Sequence, residues 1–140
     1  MEEDHPKIYG GRRSFIVLGE EEIFAIVRQR MENDKCFLDS NLTMEWLAEE
    51  LNVHRNAVSA AVNHYTGVSF PVWIASLRIA EVERLAVLPE NRNCTVASLG
   101  LRSGFKNRST FQRAYKAIKR SNPSESLPGR KHKQRTGKKL

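Results

Sequence analysis

Apolar side chains recur at three- and four-residue spacing along much of the chain, which is the period of helices that bury one face. A first helix is predicted to begin at Glu20, because three consecutive acids suit a helix N-terminus. A longer amphipathic helix is predicted over residues 69–88, with Pro71 tolerated in its first turn and Pro89 ending it. The inward positions predicted for the first helix are Ile23, Phe24, Ile26, Val27, the stem of Arg30, and Met31.

One sequence pattern occurs twice, in residues 42–53 and again in residues 94–105. Thr43 corresponds to Thr95 at an offset of 52, and Val58 further on corresponds to Phe111 at an offset of 53. Each copy predicts a short helix capped by the threonine hydroxyl, a tight turn and a second helix. Two such units in a short chain indicate a protein that contacts two neighbouring stretches of a duplex.

The pattern predicts an all-α fold of about seven helices, in which the long helix holds two helix-turn-helix units at a fixed separation. The predicted divisions are an N-terminal arm or linker over 1–19, a first unit over 20–68, a linker helix over 69–89, a second unit over 90–125 and a basic disordered tail over 126–140. Residues 122–125 are expected to form a turn.

The charge of the chain is strongly polarised. Residues 1–101 hold ten Lys/Arg and fifteen Asp/Glu, whereas residues 102–140 hold thirteen Lys/Arg and one acid. The net charge of +7 is therefore the result of −5 in the first part and +12 in the second. A basic C-terminal third is the electrostatic footprint expected of a nucleic-acid partner, although a solvated basic tail without specific use has the same composition.

Other chemistries leave little trace in the sequence. Cys36 and Cys94 lack metal-ligand spacing and are expected to be reduced, mostly buried thiols in a cytoplasmic protein. No metal, cofactor or membrane contact is expected, and the four histidines belong to no nucleophile–base arrangement. An enzyme is therefore the least favoured class.

Residues 104–116, Gly-Phe-Lys-Asn-Arg-Ser-Thr-Phe-Gln-Arg-Ala-Tyr-Lys, followed by Pro-Ser-Glu at 123–125, resemble the signature of the AraC/XylS family of bacterial transcription regulators. The first copy and the long helix resemble that family's first unit and linker, so the likeness covers roughly residues 20–125. It implies two helix-turn-helix units with recognition helices over 54–65 and 107–119, bound in adjacent major grooves on one face of DNA. It also implies RNA polymerase as a further partner, and an upstream sensor or signalling domain outside this chain.

The second unit is predicted to provide most of the base contacts. Its helix turns an apolar stripe inward, and the remaining surface carries side chains that bind guanine, adenine and phosphate oxygens. We assign base readout to Arg108, Ser109, Gln112 and Arg113, and phosphate contact to Thr95, Lys106, Asn107 and Lys116.

The first unit is predicted to bind more weakly. Ala60 occupies the position that corresponds to Arg113, and residues 43–67 hold one Arg and three Glu. We assign base readout here to Arg55, Asn56 and Ser59, and phosphate contact to Thr43 and Asn63. These residues would mainly fix the register of the protein on DNA.

Several positions depart from the family pattern. Arg120 stands where a helix-ending glycine is usual, and Gly100 replaces alanine inside a helix, at a cost of about 1 kcal/mol in helix propensity. Ser126 replaces an aromatic residue, which is expected to loosen the C-terminus. Arg78 is assigned to holding the fold together, while Trp46 either packs on the first helix or contacts a partner.

Two questions stay open at this level. A non-specific nucleic-acid or protein-interaction module, with affinity supplied mostly by the basic C-terminus, is the alternative function. The chain is expected to be either a small stand-alone regulator or the C-terminal piece of a longer one.

Overall fold

The structure, a computed structural model, describes residues 8–9, 12–13 and 17–130, and these form seven α-helices and one short hairpin. The predicted helical class is confirmed. The helices are α1 (Glu20–Glu32), α2 (Met44–Leu51), α3 (Arg55–Thr66), α4 (Phe70–Ala86), α5 (Val96–Arg102), α6 (Arg108–Lys119) and α7 (Pro123–Ser126).

The N-terminal segment contains regular structure that the sequence pattern did not predict. Strand β1 (Ile8–Tyr9) pairs antiparallel with β2 (Arg12–Arg13), and Ile8 lies opposite Arg13. Strands of two residues are too short to produce an alternating hydrophobic pattern, so the prediction of an irregular arm over 1–19 missed them.

The chain divides into two compact units, and the boundary falls within α4. Unit 1 contains the chain up to Cys36 together with Leu42–Trp73, whereas unit 2 contains Phe37–Asn41 and the described residues from Ile74 onward. The first turn of α4 therefore belongs to unit 1, and the rest of this helix belongs to unit 2.

Unit 1 has a core between α1 and the first repeat. Ile23, Val27 and Met31 recur at four-residue spacing on α1 and are almost completely buried. The ring of Phe24 stacks on Tyr65 of α3 with 5.2 Å between ring centroids. Ile26 was predicted to share the buried stripe, but it is 38% exposed because it lies at the edge of the packed face.

Unit 2 has a separate core around α6. Phe111 and Tyr115 of α6 are completely buried. They pack with apolar residues of α4, α5 and the segment after α7: Ile79, Val82, Leu85, Ala86, Leu99, Phe105 and Leu127.

The structure confirms the internal repeat and locates its change of offset. Thr43 and Thr95 each accept a hydrogen bond from the backbone N–H three residues later, at 3.0 and 3.1 Å, so both cap their helices as predicted. Helices α3 and α6 both contain 12 residues and begin 53 positions apart. The additional residue of the second copy is Lys106, which lies in the turn before α6.

Both second helices end in the same backbone conformation. Gly67 ends α3 with φ of 79°, and Arg120 ends α6 with φ of 63°. The left-handed turn usually made by glycine is therefore present although Arg120 occupies the position. For a residue with a Cβ atom, this conformation costs roughly 1–2 kcal/mol.

Gly100 of α5 accommodates the ring of Phe111. A Cβ atom on Gly100 would lie 2.5 Å from two carbon atoms of that ring. In the first unit the corresponding residues are Ala48 and Val58, both buried, so the residue on the first helix is larger and the residue on the second helix is smaller. In the second copy, α5 lacks this methyl group and α6 has an aromatic ring in its place. The lower helix propensity of Gly100 is the consequence of making room for that ring.

Arg78 and Gly104 together fix the segment before α2 within unit 2. Arg78 donates to the carbonyl oxygens of Phe37 at 2.6 Å and Asp39 at 2.9 Å, and its guanidinium lies 5.8 Å from the centre of the Phe105 ring. Burial lowers the pKa of Arg78, while Asp39 partly offsets that effect. Gly104 has φ of 107°, and a Cβ atom there would clash with the carbonyl oxygen of Phe37. The predicted structural role of Arg78 agrees with these bonds.

The chain after α6 is more ordered than predicted. The residues expected to form a turn at 122–125 lie in the one-turn helix α7 and its cap, because Pro123 suits the first helical position. Ser126 is the last residue of α7, Leu127 is 2% exposed and Arg130 is 9% exposed. The prediction of disorder from residue 126 is therefore wrong for 126–130. The remainder of that predicted tail, 131–140, lies outside the described residues.

The two cysteines are not joined, and each is half-buried rather than fully buried. The thiol of Cys94 lies 3.5 Å from a guanidinium nitrogen of Arg102.

Replacing Gly100 with alanine should destabilise unit 2, although alanine is the better helix former. Overpacking against Phe111 is expected to cost about 1–3 kcal/mol, measured as the free energy of unfolding in urea. Leu101→Ala on the same helix, at a position that is 49% exposed, serves as the control and should change much less. The double variant Gly100→Ala/Phe111→Val should lose less unfolding free energy than the sum of the losses in the two single variants. Simple additivity would show that the two residues do not compete for one space.

Tyr115→Phe should raise the stability of the protein. The Tyr115 hydroxyl is buried and has no hydrogen-bond partner in the described part of the chain. Removing an unsatisfied buried hydroxyl is expected to gain about 1 kcal/mol in the free energy of unfolding. Tyr65→Phe, at a position 45% exposed, is the matched control and should be nearly neutral. A loss of stability in Tyr115→Phe would mean that the hydroxyl has a partner.

Candidate nucleic-acid interface

Helix α6 is held in unit 2 by a cap and a buried stripe. The side-chain oxygen of Asn107 accepts a hydrogen bond from the backbone N–H of Thr110 at 2.9 Å and so defines the first turn. Phe111 and Tyr115, four residues apart, anchor one face in the core. Because a helix is rigid, anchoring this face determines which side chains project to solvent on the other.

The outer face of α6 and the turn before it carry a set of hydrogen-bond donors without internal partners, called here the donor set. Its 12 residues include four cations and no acid. Within the part of the chain that the structure describes, none of the exposed side chains next named makes a hydrogen bond or an ion pair. They are Lys106, Arg108, Ser109, Gln112, Arg113 and Lys116, all assigned to DNA from the sequence.

Lys119 is the cation of α6 that has an internal partner. Its ammonium nitrogen lies 2.8 Å from a carboxylate oxygen of Glu83 on α4. This hydrogen bond, together with the opposite charge, raises the pKa of Lys119. Lys119 therefore bonds within the fold, whereas Arg108, Arg113 and Lys116, the other cations of α6, belong to the donor set.

The donor set borders a groove of about 670 Å³ within unit 2. Arg108 and Gln112 lie one helical turn apart on one wall, and Thr95 at the start of α5 lies on another. Further lining residues come from α7 and the chain around it, including Asn122, Ser124 and Gly129. The first turns of α5 and α6 and the chain around α7 thus place polar groups along the same concave surface.

Sequence reasoning missed two arginines at this groove. Arg92, in the turn before α5, lies outside both copies of the repeat and carried no pattern. Arg130 was counted as part of a disordered tail, yet it lines the groove and is buried. A leucine followed by Pro-Gly at 127–129 was the available signal, because it indicates a packed residue followed by a turn.

The first unit has fewer available donors. Arg55 donates to a carboxylate oxygen of Glu45 at 2.8 Å, and the Asn63 amide donates to the carbonyl oxygen of Ser59 at 3.2 Å. Asn56 is exposed, and its backbone N–H donates to the Nδ1 atom of His54, which caps α3. Ala60, at the position equivalent to Arg113, presents only a methyl group.

Three residues assigned to phosphate contact also cap helices. Thr43, Thr95 and Asn107 each use a side-chain oxygen to accept a backbone N–H of the following turn. A hydroxyl or amide that accepts in this way still has a proton to donate, so capping is compatible with a bond to a phosphate oxygen. All three side chains are exposed.

Trp46 is 45% exposed on α2. Contact with a partner stays a prediction. Packing of part of the ring on the first helix is compatible with this exposure and also stays a prediction.

The described residues contain no cluster of three or more His, Cys, Asp or Glu side chains able to hold a metal ion. Nor is any described helix sufficiently long and apolar to cross a membrane.

The two repeated units, each with an N-capped second helix presenting polar side chains, define a double helix-turn-helix protein. A family profile described as a helix-turn-helix domain matches residues 47–127. The chain belongs to the AraC-type family of helix-turn-helix proteins, a family of DNA-binding transcription regulators.

Solved structures with the same fold come from three bacteria. The C-terminal domain of AraT, a response regulator from Geobacillus stearothermophilus, is 26% identical with a TM-score of 0.57, over 71% of this chain and 80% of that one. A Listeria innocua protein of unknown function is 13% identical with a TM-score of 0.62, over 72% and 90%. The C-terminal domain of the response regulator yesN from Fusobacterium nucleatum is 18% identical with a TM-score of 0.55, over 76% and 94%. A comparison with curated protein sequences gave no significant match.

Proposed function

We propose that the chain binds specific double-stranded DNA sequences and regulates bacterial transcription, with α6 as the principal reading helix. The observation that carries the proposal is the set of unpartnered donors on the outer face of α6. Arginine bonds guanine with two hydrogen bonds, and glutamine bonds adenine in the same way, so Arg108, Gln112 and Arg113 supply base discrimination. Ser109 completes the base-reading set, while Lys106, Asn107, Lys116 and Thr95 hold phosphates.

Helix α3 takes the second, weaker role. Arg55 must exchange its bond to Glu45 for one to DNA, and the acid itself repels phosphates. Asn56 and Ser59 are the remaining base-reading candidates, with Thr43 and Asn63 at the backbone. In our proposal α3 and α6 enter neighbouring major grooves, as the family resemblance implies, and α3 mainly fixes register.

The wider setting of the protein follows from this role. A chain that regulates transcription acts in the bacterial cytoplasm, and RNA polymerase is the partner that converts DNA binding into a change of transcription. AraT is described as a response regulator, which supports an upstream signalling domain as the source of control.

Arg113→Ala is expected to weaken binding to the preferred duplex by about 1–3 kcal/mol and to relax the preference at one base pair. The preferred duplex is obtained first by selection from a random pool, and dissociation constants are then measured on selected and scrambled duplexes. Arg28→Ala, which removes the same charge from α1, is the control and should affect both duplexes slightly and equally. An equal loss on both duplexes for Arg113→Ala would remove its base-reading role.

The same selection separates the proposal from a non-specific module. Enrichment of a sequence by the full chain supports sequence-specific binding. If no sequence is enriched while binding remains measurable, the basic C-terminal part supplies affinity without readout.

Glu45→Gln should strengthen DNA binding, because it removes an acid from unit 1 and releases Arg55. We expect a gain of about two- to five-fold at low salt that shrinks as salt screens the charges. Glu90→Gln, an exposed acid of unit 2, is the control for loss of one negative charge. A weaker complex in Glu45→Gln would mean that the ion pair positions α3 for binding.

A further inference from the structure

Arg92 is an exposed residue on the wall of the groove and belongs to neither copy of the repeat. It follows a single turn of 3-10 helix, Pro89–Asn91, and lies just before the cap of α5. Its backbone N–H donates to the carbonyl oxygen of Pro89 at 3.2 Å, but its guanidinium makes no hydrogen bond or ion pair within the described residues. The five N–H groups of that guanidinium are therefore available to a ligand.

The residue before Arg92 ties this turn to both neighbouring helices. Asn91 is 4% exposed, and its side-chain amide donates to the carbonyl oxygen of Leu85 on α4 at 3.0 Å. Its side-chain oxygen accepts a hydrogen bond from Arg102 of α5 at 3.1 Å. The backbone that carries Arg92 is therefore fixed at its N-terminal side.

Arg130 fixes the same turn through its backbone. Its Nη2 atom donates to the carbonyl oxygen of Asn91, and its Nε atom donates to that of Cys94 at 3.0 Å. Its Nη1 atom donates to the carbonyl oxygen of Ala86, the last residue of α4, at 3.0 Å. Because Arg92 lies between Asn91 and Cys94, one buried guanidinium sets the course of the backbone that presents Arg92. Arg130 itself bonds within the fold and acts on the turn.

The lining of the groove favours an anion. Arg92 and Arg108 both lie on its wall with side chains that have no partner among the described residues, and none of the described residues that line it is acidic. Thr95 and Ser124 add neutral hydroxyl donors. A guanidinium matches the charge and the paired oxygens of a phosphate, so a phosphate group fits this lining.

The reading helix shares this groove, which favours the DNA backbone as the source of the phosphate. Arg108 and Gln112 of α6 line the groove together with Arg92. In helix-turn-helix proteins the second helix lies in the major groove while the first helix crosses the backbone beside it. Arg92 lies just before α5, which is the first helix of the second unit, and so belongs to the part of the motif that a backbone passes.

We propose that Arg92 binds a backbone phosphate of the DNA read by α6, and that Arg130 is the positioning residue that holds the turn carrying Arg92. The proposal rests on the function argued above and adds a contact to it. The contact is independent of base sequence, because phosphates carry no sequence information directly. It raises affinity and helps to fix the register of α6 on the duplex.

The test uses the full chain and a duplex selected by it. In a series of duplexes, one phosphate at a time is replaced by an uncharged methylphosphonate, and the dissociation constant is measured for each. Selected and scrambled duplexes with all their phosphates are also measured over a range of salt. Arg92→Gln removes the charge under test, and Arg28→Gln, which removes an exposed arginine from α1, is the matched control.

Arg92→Gln should weaken binding about three- to tenfold, by a similar factor on selected and scrambled duplexes. The slope of log affinity against log salt should become shallower by roughly 0.9, the value for one phosphate contact. At one or two adjacent phosphates, beside the base pairs whose preference Arg108→Ala relaxes, the methylphosphonate should weaken the parent protein but not Arg92→Gln. Arg28→Gln should respond to every methylphosphonate as the parent does.

Arg130→Lys separates a positioning role from a direct contact. Lysine keeps the charge but lacks the planar group that bonds these carbonyl oxygens together. Arg130→Lys should therefore reduce the salt slope and the sensitivity to the same methylphosphonate while keeping the base preference of the parent. Combined with Arg92→Gln it should add little further loss. If thermal melts show that Arg130→Lys does not fold, Arg102→Lys replaces it, because Arg102 is exposed and loosens the same turn through Asn91.

Three other outcomes contradict the argument at different steps. An unchanged salt slope in Arg92→Gln, or equal sensitivity of this variant and the parent at every phosphate, would overturn the contact. A response of Arg130→Lys identical to that of the parent would overturn the positioning role. A full chain that selects no sequence would contradict the proposed function itself, before any variant is compared.

Discussion

The burial of Phe111 and Tyr115 in unit 2 is the constraint on which the candidate interface depends. These rings set the rotation of α6 about its own axis, and this rotation determines that Arg108, Gln112 and Arg113 project outward. Gly100 is part of the same constraint, because only a residue without a side chain leaves room for the Phe111 ring. The packing of two aromatic rings thus decides which donors of α6 face solvent.

The two copies of the repeat show how one fold can support different strengths of binding. A threonine caps the first helix of each copy, and the second helices share a length of 12 residues and a left-handed end. The first helices differ at their ends, because α2 has 8 residues and ends in a left-handed residue whereas α5 has 7 and does not. The difference lies in where the polar side chains bond. In unit 1, Arg55 bonds Glu45 and Asn63 bonds a carbonyl of its own helix, whereas the donors of α6 have no such partners among the described residues. In our proposal, the weaker binding of unit 1 therefore results from these internal bonds rather than from a difference in fold.

Most of the helical framework could be predicted from the sequence because it depends on local signals. Thr43 and Thr95 indicate caps, Gly67 indicates a helix end, and apolar spacing locates the buried faces. The features that escaped prediction depend on contacts distant in sequence. Gly100 is unfavourable for a helix by local propensity, and its role depends on the ring of Phe111 that packs against it. Arg130 donates to carbonyl oxygens 36 to 44 residues away. No periodicity or spacing within the chain encodes such pairs.

The same distinction changes the meaning of the net charge. Sequence counting treats every cation of the basic C-terminal third as equally available to DNA. In the structure, Lys119 pairs with Glu83, Arg102 donates to the side chain of Asn91, and Arg130 donates to four carbonyl oxygens. These cations support the fold, and a DNA contact by any of them would have to compete with these bonds. Among the described residues, the exposed cations without an internal partner include Arg108, Arg113 and Lys116 on the outer face of α6. Geometry, rather than total charge, is therefore the basis of the proposed specificity.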